Sequence, residues 1–183
     1  MDAHVAFLRG INLAGKNRLP MKDLSGLFTD AGCADVRTHI QSGNVVFRAP
    51  PGLARRIPDL IQKAISNQFG ISVPVVTRSA AELRKVAQAN PYLARDKDTS
   101  ALHVAFLAAK PTSTQIKALD PDRSPPDEFI VRGRDVFLRL PNGVGKTRLT
   151  NAYLDSKLGT TSTLRNWRTV LKLVEMAEDG QGS

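Results

Sequence analysis

The tetrapeptide HVAF stands at residues 4–7 and again at residues 103–106. Each copy lies in a run of strand formers, HVAFLRG at 4–10 and ALHVAFLAA at 101–109, and so reads as a β-strand. The elements that follow the two copies match as well. After the first, Met21, Leu24, Phe28 and Ala31 recur at helical spacing and Gly32 closes the helix. DVRTHIQ and NVVFRA are then strands about Ser42-Gly43, read as a two-residue hairpin. Ile57, Ile61, Ala64, Ile65 and Gln68 mark a second helix, with Pro58 tolerated in its first turn. In the next strand, ISVPVVTR, Pro74 points to a sheet edge. The order β-α-β-β-α-β is the ferredoxin-like arrangement.

After the second copy, Thr112 and Gln115 cap a short helix, and EFIVR and DVFLRL flank a Gly-X hairpin at Gly133-Arg134. The remainder reads as two helices, at 146–158 and 163–178. The expectation is an α+β protein of two tandem ferredoxin-like subdomains, the second with a modified helical end. The first subdomain covers 1–78 and the second 100–183. Residues 79–99 connect them, as a helix from Ser79 capped by Glu82 and stopped at Pro91, then the polar stretch ARDKDTS.

Composition narrows the partners. The chain has 183 residues, 42% of them apolar, which suffices for a proper core. No run of eighteen apolar residues occurs and the N-terminus lacks a signal-peptide core, so no membrane partner is expected. Cys33 is the one cysteine, which excludes an internal disulfide and points to a reducing cytoplasm. Lys and Arg number 26 against 17 Asp and Glu, a net charge of +9, which favours anionic partners. Residues 9–20 hold three bases (Arg9, Lys16, Arg18) and no acid, and residues 36–58 hold bases and no acid. Residues 134–172 hold eight bases against Asp135 and Asp155.

The stretch LPNGVGKTRLT at 140–150 contains GKT, the tail of a nucleotide-binding loop. The full motif needs a glycine five residues before Gly145, and that position is Leu140, so no triphosphatase loop is expected. Asn142, Gly143 and Lys146 still make a candidate anion-facing start to the 146–158 helix, if the stretch is more than a strand-to-helix turn. On the last helix, Leu164, Trp167, Val170, Leu171 and Val174 form an inward arc. Arg165, Arg168 and Lys172 form a basic stripe beside it, an ordinary solvated face or a contact for an anion. In the first half, Arg9, Asn12, Lys16, Asn17, Gln41, Ser42 and Asn44 supply donors for phosphate, carboxylate or amide groups. Turn chemistry alone also accounts for Asn12, Ser42 and Asn44. His4, His39 and His103 are scattered without metal-ligand spacing, so neither a metal nor a cofactor is expected.

FLRGINLAGKNRLPM, THIQSGNVVF and LPNGVGKTRLT…TLRNWRTVLKL, in that order, resemble the family filed as domain of unknown function 1697. The resemblance implies a tandem pair of ferredoxin-like subdomains and no established activity. It singles out Arg9, Gly10, Asn12, Gly15, Asn17, Gln41, Ser42, Gly43 and Asn44, then Gly143, Arg165, Asn166, Trp167 and Thr169. Ala14 departs from the family's frequent glycine, His39 from its usual tyrosine, and Thr147-Arg148 from its common Ser-Lys, so that GKT is a family turn. The functional expectation is a binder of a nucleotide, phosphate or nucleic acid in a cleft formed by the polar motif loops. The alternatives are an enzyme on a phosphorylated small molecule, with His39 the nearest candidate base, and an adaptor whose motifs are structural.

Overall fold

The computed structural model describes residues 1–179. The chain forms two compact units, Met1–Lys85 with Lys172 onward, and Val86–Leu171. In the first, β1 (Asp2–Leu8), β2 (Ala34–His39), β3 (Asn44–Ala49) and β4 (Val75–Ser79) form a sheet in the order β2-β3-β1-β4. Helices α1 (Met21–Asp30), α2 (Pro51–Ala54) and α3 (Ile57–Phe69) accompany it, and α4 (Ala80–Gln88) follows β4. In the second, β5 (Leu102–Leu107), β6 (Glu128–Arg132), β7 (Asp135–Arg139) and β8 (Ser162–Asn166) are ordered β6-β7-β5-β8. Helices α5 (Ser113–Lys117) and α6 (Asn151–Leu158) accompany it, and α7 (Trp167–Glu178) is divided, its residues to Leu171 belonging to the second unit and the rest to the first. All strand pairs are antiparallel, and the two sheets have the same order of elements. Both halves are ferredoxin-like. Among the described residues no helix is long and apolar enough to cross a membrane.

The HVAF strands are the centres of these sheets, and their surroundings repeat bond for bond. Leu8 N–H donates to Gly43 O at 2.8 Å, and Leu107 N–H donates to Arg134 O at 2.8 Å. The next residues, Arg9 and Ala108, donate to Pro74 O (3.0 Å) and Thr161 O (2.8 Å). Val5 pairs with Arg78 and Val104 with Arg165, and both arginines are buried. Each Nη1 donates to the carbonyl of the preceding residue, Thr77 at 2.9 Å and Leu164 at 2.8 Å. Burial of its guanidinium lowers the pKa of Arg165 to about 10. Pro74 immediately precedes β4, an edge strand, where its missing N–H removes no ladder bond.

One face of the first sheet packs Ala6, Leu8, Val45, Phe47 and Val75 against Leu24, Phe28, Ile57, Ile61 and Ile65. The small thiol of Cys33 lies in this core, where burial pushes its pKa up to about 11. The second core joins Ala105, Leu107, Val136 and Leu138 to Leu149, Tyr153, Leu154 and Leu158. The opposite sheet faces are also covered, since Val5, Phe7, Val104 and Phe106 are fully buried. Capping boxes start two helices. Ser79 and Glu82 exchange backbone-to-side-chain bonds at α4 (2.9 and 3.1 Å), as do Thr112 and Gln115 at α5 (2.8 and 3.2 Å). The polar stretch after Pro91 is fastened to the second sheet by Arg95 on Glu128 and by Asp96 on Arg139, each 2.8 Å at its shorter contact.

Three boundaries differ from expectation. Residues 163–166 are strand, not the first turn of a helix, because β5 has an open edge that β8 fills, from Leu107↔Ser162 to His103↔Asn166. Helix α7 restarts at Trp167, with Asn166 Oδ1 accepting from Thr169 N–H at 2.8 Å. Its buried positions are Trp167, Thr169, Val170, Leu173 and Ala177, while Leu171 is 46% exposed. Helix α6 opens at Asn151, not at Lys146, because Thr150 is its cap and accepts from Tyr153 N–H at 3.2 Å. The first hairpin loop is residues 40–43, four rather than two, since His39 pairs directly with Asn44. The second has the expected two residues, with Gly133 at φ 60° between Arg132 and Asp135.

Gly43 and Gly133 therefore face different demands. A Cβ on Gly43, at φ 79°, would lie 2.7 Å from Leu8 Cβ and 3.0 Å from Ile11 Cδ1, whereas one on Gly133 meets nothing within 4 Å. Gly133→Ala should cost about 1–2 kcal/mol from backbone conformation alone. Gly43→Ala should cost more, on the order of 3 kcal/mol, because a core clash adds to it. Urea denaturation of the two variants measures both. The repeated histidines supply a pH test. Burial lowers the pKa of His4 and His103 below the ordinary 6.5, and the native state then binds fewer protons than the unfolded chain. Their stabilising contribution is complete above pH 6.5 and is lost as pH falls through the lowered values. Thermal melts should show stability falling on acidification below 6.5, less steeply in His103→Gln.

Candidate functional site

The residues predicted from the first half converge at one end of the first sheet. β1 ends there at Leu8, the hairpin 40–43 turns there, and β4 begins there at Val75 opposite Leu8. The connection from β1 to α1, residues 9–20, folds back on itself. Asn12 N–H donates to Asn17 O (3.1 Å) and Lys16 N–H to Leu13 O (2.8 Å). Side-chain amides complete the lacing. Asn12 Nδ2 donates to Leu19 O (2.9 Å) and across to Gln41 O (3.0 Å), while its Oδ1 accepts from Leu19 N–H (2.8 Å). Asn17 Nδ2 donates to Gly10 O at 2.8 Å. In the hairpin, Asn44 is fully buried and donates to His39 O (3.2 Å) and Ser42 Oγ (2.9 Å). Asn12, Asn17 and Asn44 are thus scaffold: their amides hold two loops in one shape.

That shape uses left-handed backbone throughout. Gly10, Asn12, Ala14, Gly15, Asn17, Ile40 and Gly43 all have positive φ. Gly and Asn tolerate this region well, but Ile40 is β-branched and sits at φ 49°. Its side chain is 55% exposed, so no core contact offsets a strain of about 1–3 kcal/mol. Leu13, in the facing loop, is 61% exposed. Lys16 and Arg18, in the loop of Leu13, and Gln41, next to Ile40 in the chain, are exposed, Arg9 is half-buried, and neither 9–20 nor 40–44 contains a carboxylate. The candidate site is therefore a cationic loop pair cross-tied by the amide of Asn12. Arg18, Leu13 and Ile40 lay outside the predicted set. The charge of Arg18 was readable, but the exposure of the two aliphatic residues was not.

The second unit carries the remaining predicted residues, at the other end of the duplicated plan. Asn142, Gly143 and Lys146 follow the end of β7, and Arg165 and Asn166 lie at the end of β8, both toward the start of β5. Residues 141–146 are successive turns, with Gly143 N–H donating to Leu140 O (3.0 Å) and Lys146 N–H to Gly143 O (3.2 Å). These two N–H groups are therefore not the open donors of a helix start. Ser124 Oγ accepts from Arg148 N–H (2.9 Å) and Thr147 Oγ1 from Leu149 N–H (3.0 Å), which makes GKT part of a closed turn. The basic stripe is divided. Arg165 is buried in β8, Arg168 is exposed in the first turn of α7, and Lys172 pairs with Glu175 at 2.8 Å.

Catalytic groups are sparse around the loop pair. His39, half-buried at the end of β2, has its pKa lowered by burial and by the charge of Lys172. Among the described residues no group of three His, Cys, Asp or Glu side chains could hold a metal ion.

The fold has a solved counterpart. Over 97% of this chain and 99% of the other, the protein is similar, at a TM-score of 0.67 and 18% identity, to the conserved bacterial protein SP0830 from Streptococcus pneumoniae. That likeness is one of fold. No curated protein matches the chain. The model of a family described as protein of unknown function (DUF1697) matches residues 1–137, through the laced loops, the first sheet and both central strands. The chain therefore belongs to the DUF1697 family.

Proposed function

We propose that this is a cytoplasmic binding protein for a phosphate-bearing anion, a nucleotide or nucleic acid, held by the loops at residues 9–19 and 40–43. One observation carries the reading: at this end of the sheet the first unit has extra chain that the second unit lacks. The connection after β1 has twelve residues (9–20), and its counterpart after β5 has five (108–112). The first hairpin loop has four residues and its counterpart two. Both enlargements lie at the same end of the sheet, and Asn12 Nδ2 on Gln41 O ties them together. A ferredoxin-like frame does not need this extra chain, as the second unit demonstrates. Extra loop length at one end of a rigid sheet is where binding residues usually reside.

The chemistry suits an anion. Lys16 and Arg18 bring two exposed cations to loops that contain no carboxylate, and Gln41 adds an exposed amide with two donors and an acceptor. Because the asparagines already fix the loops, a ligand would meet a preorganised surface and little ordering cost. The sheet face on which ferredoxin-like RNA modules stack bases is closed here, since Val5, Phe7 and Val46 are buried. Recognition is therefore assigned to the loops.

Scaffold and contact residues should separate on mutation. Lys16→Ala with Arg18→Ala should leave the melting temperature unchanged. It should weaken binding of ATP or a short oligonucleotide, lowering the salt slope by about 0.7 for each single-strand phosphate contact removed. Asn12→Ala should instead lose about 2–4 kcal/mol of stability, the sum of three hydrogen bonds. Fluorescence titration across a salt series and urea melts measure the two effects. If neither ATP nor an oligonucleotide binds at low salt, or if the Lys16/Arg18 variant binds as tightly as the parent, the proposal fails.

A further inference from the structure

The loop pair offers more than charge. Leu13 and Ile40, two large aliphatic side chains 61% and 55% exposed, lie one residue away on either side of the Asn12–Gln41 bond. The exposed Gln41 adjoins Ile40, and Lys16 is held to Leu13 by the backbone bond between them. Resting on the anion-binding reading above, we infer that this site takes single-stranded nucleic acid, with unstacked bases against Leu13 and Ile40 and phosphates on Lys16 and Arg18.

The argument asks what ligand uses all three chemistries at once. Inorganic phosphate uses only the cations. A duplex presents phosphates, but its base faces are stacked away from a protein surface. A single strand offers phosphates, apolar base faces and amide-like base edges along one flexible chain. Leucine and isoleucine pack against base faces where proteins wedge between base steps, so an aromatic platform is not required for this contact. Gln41 matches the base edge, because a carboxamide can donate and accept together. Ile40 supplies a second, independent line. A β-branched residue in the left-handed region is strained, and Ile40, at 55% exposed, recovers only partial burial in the free protein. Strain left uncompensated by folding points to a contact made with something else.

The strain also provides a test that does not damage the fold. Ile40→Asn places a residue tolerant of φ 49° there and removes the apolar surface, so the melting temperature should hold or rise. Leu13→Ser removes the other exposed aliphatic group. The double variant should be titrated with a single-stranded oligonucleotide of about ten nucleotides and with the duplex of the same sequence. The parent should prefer the single strand, and the variant should lose about tenfold in single-strand affinity while its weaker duplex binding stays the same. Tryptic footprinting of bound protein should show Lys16 and Arg18 shielded by the single strand. Equal parental affinity for the two forms, or an unchanged single-strand affinity in the variant, would overturn the assignment. Either result leaves the anion-binding reading standing if Lys16→Ala with Arg18→Ala still weakens ATP. Loss of all binding to ATP and both oligonucleotides would instead remove that reading together with this one. Tighter binding to anionic phospholipid vesicles than to the single strand would assign the exposed aliphatic pair to a lipid surface and likewise overturn it.

Discussion

A strand in the middle of a sheet must satisfy hydrogen bonds on both of its edges, and each half of this protein depends on that requirement. The HVAF strands are those middles. β1 is flanked by β3 and β4, and β5 by β7 and β8. Their side chains are apolar on both faces, with Val5, Ala6 and Phe7 matched by Val104, Ala105 and Phe106, all fully buried. A strand of this kind cannot remain at an edge, where unpaired N–H and C=O groups would be desolvated without partners. The demand reaches residues remote in sequence. It draws 162–166 into a strand, sets the register that buries Arg165 beside Val104, and leaves Asn166 at the position that caps α7.

The two halves share this frame and differ in what is attached to it. Both central strands end by donating into their hairpin loop and then into the residues just before the last strand. Both last strands carry a buried arginine bonded to its own preceding carbonyl. Against that common pattern, the long connection after β1 and the wider first hairpin stand out as additions. Their asparagines perform a structural task, closing the backbone of irregular loops that have no strand or helix to pair with. The outward side chains, Leu13, Lys16, Arg18, Ile40 and Gln41, are thereby presented from a fixed surface. Division of labour between lacing amides and presented side chains follows from the hydrogen-bond geometry, and it distinguishes residues that a motif alone groups together.

Much of this was legible without coordinates, and the reasons are local. The repeated HVAF, the alternating strand formers, Gly133-Arg134, and the Ser79–Glu82 and Thr112–Gln115 caps depend on neighbours a few positions away. So does the glycine missing at Leu140, which excluded the nucleotide-binding loop. The failures were of another kind. Residues 163–166 carry a helical spacing of apolar groups that continues into α7, and no local signal records the open edge of β5 sixty residues earlier. Lys146 resembled a helix start because its Gly-Lys-Thr has the right composition, yet Thr150 made the cap. Ser42-Gly43 resembled a tight hairpin, yet the pairing of His39 with Asn44 widened it to four residues.

The sequence by itself determined the duplicated α+β plan, the carboxylate-free basic segments and the identity of the polar motif residues. These are matters of periodicity, composition and short-range turn chemistry. Only the tertiary structure decided which motif residues are scaffold and which are presented. Asn12 is defined by a bond to the carbonyl of Gln41, twenty-nine residues away. Arg165 is defined by burial in a strand that exists because β5 needed a partner. Exposure of Leu13 and Ile40, likewise, is a property of the folded surface. Long-range hydrogen bonding and solvent exclusion are set by the whole chain, and no window of neighbouring residues contains them.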